Sequence, residues 1–117
     1  MASTTINDSY SIGMGDKNIT LTVTISKSQI AKSTVRLNRK LVNDFQDSFT
    51  VKLGKAKDIV GSTLTINTTE ADVDPNSDIT SFELEITGGK TPYVNKRSQS
   101  VASGGFVIYT VEIVFIP

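Results

Sequence analysis

The chain has no cysteine, no histidine and no tryptophan. Without cysteine there is no disulfide and no thiolate nucleophile. Without histidine there is no imidazole general base and no histidine-ligated zinc, iron or copper. The missing disulfide leaves the compartment open, because oxidising compartments permit disulfides without requiring them. Lys plus Arg and Asp plus Glu balance at 12 each, so the formal net charge is zero and there is no global electrostatic case for nucleic acid. No apolar run approaches the ~20 residues of a membrane helix, so no membrane insertion is expected. Met1-Ala2-Ser3-Thr4-Thr5 has neither a basic region nor an apolar segment, so no signal peptide is read there and the localisation stays unknown.

What is present reads as β structure. The segment from Phe106 to Ile116 is rich in β-branched and aromatic residues and has no internal breaker, which predicts a long strand. Alternate residues point to opposite faces. Val107, Tyr109, Val111, Ile113 and Phe115 form one face, a core face. Phe106, Ile108, Val114 and Ile116 make the other largely apolar as well, interrupted by Thr110 and Glu112. That second face needs cover from residues 90–104, from the N-terminal arm, or from a partner.

Ile19, Leu21, Val23 and Ile25 alternate with Thr20, Thr22, Thr24 and Ser26, a strand with one buried and one hydroxyl face. Further strands are expected at Ser48–Leu53, Thr63–Thr68 and Ser81–Thr87, with weaker ones around Tyr10–Met14 and in the 90–104 segment. Residues 36–46 admit a short helix, since Leu37, Leu41 and Phe45 are spaced by four. A hairpin turning at Asn38-Arg39 fits better, because Asn tolerates positive φ and Asn43, Asp44 and Asp47 are poor inside helices. Lys55 to Gly61 reads as a loop and Glu70 to Asp78 as an acidic loop.

Seven to nine strands without a crossover helix predict an all-β fold, an antiparallel β-sandwich of immunoglobulin-like, C2-like or jelly-roll type. A small β-barrel is the alternative. Residues 1–8 are expected as a flexible arm or an edge segment, and 9–117 as a single domain. Residues 1–60 hold an excess of cations and residues 61–117 an excess of anions. The plain expectation is that the halves intermix in the sandwich.

Three sets of side chains are candidates for chemistry. Asp72, Asp74, Asn76, Asp78 and Glu83 have oxygen ligands at a spacing similar to an EF-hand loop, which makes calcium the one cofactor to consider. Ser77 replaces the turn glycine, Pro75 stiffens the loop and the flanks are strands, so a plain Asx/Pro turn explains the same residues. Lys55 and Lys57, with Arg36, Arg39, Lys40 and Lys52, form a basic group suited to an anionic ligand, or to a solvated face. Tyr93, beside Pro92, is the one aromatic placed to stack on a sugar. Glu83 and Glu85 lie on one outward strand face, which is no acid–base pair.

No enzyme is expected. The leading expectation is a structural or interaction module that self-assembles or docks on a protein partner, through Phe106, Ile108, Val114 and Ile116 or along a sheet edge. The alternative is a glycan- or calcium-dependent surface-attachment module.

Overall fold

In the computed structural model the described residues are 2–26, 29–74, 76–102 and 104–117. They form nine strands and one turn of helix. In chain order these are β1 (Ala2–Ser11), β2 (Asn18–Ile25), β3 (Ile30–Leu37), β4 (Lys40–Gln46), β5 (Phe49–Lys55), α1 (Ala56–Ile59), β6 (Thr63–Ala71), β7 (Ile79–Thr87), β8 (Tyr93–Ser100) and β9 (Phe106–Ile116).

Two sheets stack face to face. The larger has the order β1-β9-β6-β3-β4 and the smaller β5-β2-β7-β8. Every pairing is antiparallel except β1 with β9, which run parallel. Neither sheet closes on itself, so the fold is a sandwich and the barrel alternative is set aside. Each sheet draws strands from both halves of the chain, so the charge excesses of the halves intermix.

Alternation built the core as the sequence pattern predicts. Val107, Tyr109, Val111, Ile113 and Phe115 of β9 are fully buried. They face Ile19, Leu21 and Val23 of β2 and Phe82, Leu84 and Ile86 of β7, also fully buried. At about 1.5–3 kcal/mol per large aliphatic or aromatic side chain, this layer is the main stabilising element. The Phe82 and Tyr109 rings stack across the sheets with centroids 5.0 Å apart.

The 36–46 segment is the hairpin. Asn38 (φ 52) and Arg39 (φ 68) both take the left-handed region, as a two-residue type I′ turn requires. Asn38 also holds the start of β6: its Oδ1 accepts the Thr63 N–H at 2.8 Å and its N–H donates to the Thr63 carbonyl at 2.9 Å.

Four expectations change. Residues 2–8 are the edge segment and not the arm: they belong to β1, an edge strand whose Ile6 and Tyr10 are buried. β9 has β6 on one side, and β1 satisfies the backbone groups on the other. The strand expected around Tyr10–Met14 therefore begins earlier and stops at Ser11, leaving Met14 exposed. The 55–61 loop contains α1, one helical turn that buries Ala56 and Ile59 and is held by the Ala56 N–H on the Lys17 carbonyl at 3.0 Å. The acidic loop begins later than expected, because β6 runs to Ala71 and carries Glu70 into the interior.

Candidate interaction surface

The outer face of β9 is covered by neither segment that the sequence offered. β1 lies beside it in the plane of the sheet, and β8, from the 90–104 segment, belongs to the other sheet. Phe106, Val114 and Ile116 are 43%, 38% and 41% exposed, and Ile108 is half-buried. The registers show that these four do not form one patch. Phe106 and Ile108 lie beside Ala71 and Thr69 of β6 at one end, and Val114 lies beside Thr63 at the other. Between them Thr110 sits in a row with Thr5, Asn67, Thr34 and Asp44, and Glu112 in a row with Asn7, Thr65 and Arg36. A charged and hydroxyl-bearing band thus divides the apolar residues into two small groups. A shallow groove of ≈ 410 Å³ opens beside the Phe106 end, lined in part by Ile30, Lys32, Asp47 and Ala71.

The sheet edges differ more sharply. Natural sheets protect free edges with charges, lysine above all, and with bulges or proline. β4 carries Lys40 and Asp44 and has a register shift against β3. β5 carries Lys52 and Lys55 and has a register shift against β2. β8 carries Lys96 and Arg97. β1 is the longest of the four, at 10 residues, and its only charged residue is Asp8. That carboxylate is exposed and bonded within its own chain, accepting the Tyr93 hydroxyl and the Ser9 N–H, each at 2.9 Å. β1 pairs with β9 in unbroken register, so it has no bulge.

The open backbone groups of β1 can be named. Just beyond the strand, the Ile12 N–H donates to the Ile116 carbonyl of β9 at 2.8 Å. Backbone N–H and C=O groups alternate sides along a strand. Even-numbered residues of β1 therefore address β9, and Ser3, Thr5 and Asn7 present theirs along the open side, as does the Ser9 carbonyl, while the Ser9 N–H is held by Asp8. The same odd-numbered residues carry their side chains on the exposed outer face.

The other candidates are dispersed. Asp72 is buried, its Oδ1 accepting the Gln29 amide at 3.0 Å. Asp74 Oδ1 accepts the Asn76 N–H at 2.9 Å in an Asx turn. Asp78 is exposed, and its interaction with the Asp72 carboxylate raises its pKa. Glu83 lies on the outer face of β7, 3.9 Å from Lys96. Among the described residues no three acidic side chains converge as a metal-binding group, and Pro75 of this loop lies outside them. Lys55 is exposed ahead of α1, and Lys57 pairs with Asp16 at 2.8 Å. Tyr93 is half-buried, its ring centroid 5.6 Å from that of Tyr10, and burial raises its pKa. Its ring packs within the molecule instead of standing free.

One polar cluster was not foreseen. Glu70 is fully buried; its Oε2 accepts the Ser26 hydroxyl at 2.8 Å and the Ser81 N–H at 3.3 Å. Its Oε1 has no hydrogen-bond partner among the described residues. Desolvation pushes its pKa up to about 7, against the partial opposition of those two hydrogen bonds. Around it the Ser33 and Thr68 hydroxyls meet at 2.7 Å, and the Thr80 and Tyr109 hydroxyls at 2.9 Å. Continuing the Leu64–Ile66 alternation to Thr68 and Glu70 would have found the group; the acidic run after it suggested a loop instead.

No protein-family model matches the chain. Searches of the curated proteins and of the solved structures return no significant match either.

Proposed function

We propose that this protein is a non-enzymatic assembly module whose docking element is the open edge of β1. The observation that carries the proposal is the contrast among the four edges: three bear cations, two of them with register shifts beside them, and the longest bears no cation, no proline and no bulge. Such an edge takes up an added strand through main-chain hydrogen bonds. The apolar residues of β9, divided by Thr110 and Glu112, contribute at most two small contacts beside that edge. Enzymatic roles draw no support from the side chains, since cysteine and histidine are absent and the carboxylates are dispersed or buried.

Light scattering from micromolar to millimolar protein tests the proposal. The mass is expected to rise with concentration for the natural sequence and to stay at one chain for the double variant Thr5→Lys/Asn7→Lys. Asn7 lies beside Glu112 and Thr5 beside Thr110, so the new lysines fit the folded face and thermal stability is expected to hold. A strict monomer at every concentration, or a double variant that associates as the natural sequence does, overturns the proposal.

A further inference from the structure

We infer that the strand taken up along β1 is β1 of a second copy, antiparallel to the first about a two-fold axis at Ile6. The inference rests on the edge reading above and adds the partner and the register. A two-fold axis perpendicular to the sheet keeps outer face beside outer face. Residues on one face of a strand then oppose residues on the same face of its mate, so odd-numbered residues meet odd-numbered residues. These are the residues whose backbone groups face the open side, and at Ser9 the N–H must leave the Asp8 carboxylate to join the new ladder.

Parity leaves a few centres, and charge and length choose among them. An axis at Asp8 sets the two Asp8 carboxylates against each other, and like charges directly opposite are destabilising. An axis at Thr5 leaves residues 9–11 without a mate. An axis at Asn7 puts the Asp8 carboxylate opposite the aliphatic Ile6. An axis at Ile6 pairs nearly the whole strand. Asp8 then faces the Thr4 hydroxyl, Ser3 faces Ser9 and Thr5 faces Asn7, so small neutral side chains meet on the outer face. The edge is thus complementary to itself, as an isologous dimer requires. With a formal net charge of zero, two copies approach without long-range repulsion. The product is one continuous sheet running from β4 of one copy to β4 of the other.

The absence of cysteine makes the register measurable. Thr5→Cys and Asn7→Cys are prepared separately, then oxidised mildly alone and as an equimolar mixture. Opposed residues in a hydrogen-bonded antiparallel pair have Cα atoms ~5.5 Å apart, within reach of a disulfide. With the axis at Ile6, identical positions lie two residues off register and beyond the ~7 Å limit. The mixture is expected to give the mixed disulfide at least about tenfold above either homodimer, counted by intact mass. Homodimers of Asn7→Cys alone, or of Thr5→Cys alone, place the axis elsewhere and overturn the inference. So does a mixture that stays uncrosslinked while light scattering detects a dimer that Thr5→Lys/Asn7→Lys abolishes; that result leaves the edge reading standing. A monomer by light scattering removes both.

Discussion

The two ends of the sandwich are held together by different physics, and β6 passes through both. Its first half places Leu64 and Ile66 in the interior, near Ile19, Ile113, Phe115 and the buried face of α1. Its second half places Thr68 and Glu70 in the same interior, against Ser33, Ser26 and Ser81. At the first end stability comes from apolar area and tolerates approximate partners. At the second each buried polar atom needs a particular mate, because an unsatisfied one costs about 1–3 kcal/mol. The apolar end is therefore expected to be insensitive to pH and the polar end responsive to it.

The sharpest test of the apolar end is Leu64→Ala. A cavity at a fully buried leucine costs about 2–5 kcal/mol, read as a shift of the urea midpoint at unchanged slope. That loss is expected to be the same at pH 5 and pH 8; a strongly pH-dependent loss would couple the two ends and break the comparison.

Glu70 supplies the next largest effect. Its pKa rises from 4.5 in the open chain to about 7 in the fold. Protonated Glu70 is thus favoured by folding, and its contribution is complete below about pH 4.5. It is lost as pH rises through about 7, an effect of roughly 3 kcal/mol. Urea midpoints are expected to fall across that window, and Glu70→Gln is expected to flatten the profile. A natural protein whose stability holds level from pH 5 to pH 8 would refute the assignment.

The smallest effect separates pairing from burial. Ser33→Ala leaves the Thr68 hydroxyl without its mate and is expected to cost about 1–3 kcal/mol. Adding Thr68→Val removes the stranded hydroxyl, so the double variant is expected to regain most of that loss. If the double variant is as weak as the sum of the singles, the polar end owes its stability to something other than matched hydrogen bonds.

Much of the architecture could be read from residue order. Ile19 to Ser26 and Phe106 to Ile116 announce their faces by alternation, and Asn38-Arg39 announces the turn between β3 and β4. Three features escaped for one shared reason. β1 alternates weakly, and is a strand because β9 offers it a parallel ladder about a hundred residues away in sequence. α1 is a single turn fixed by the Lys17 and Gly15 carbonyls. Glu70 resembles the start of an acidic loop until β3, β7 and β9 enclose it. A sheet edge could be named as a docking route, but not that the edge is β1. An apolar outer face on β9 could be read from its residues, but the band formed by Thr110, Glu112 and their cross-strand neighbours could not.

By itself, the sequence determined which faces are apolar, where the chain turns, and that cysteine and histidine chemistry is absent, because each depends on residue type and short-range period. Only the tertiary structure decided which strands lie at the edges, that β1 alone is left without cationic protection, and that a carboxylate is sealed inside one end. Those outcomes depend on pairings between segments far apart in the chain, to which local periodicity is blind.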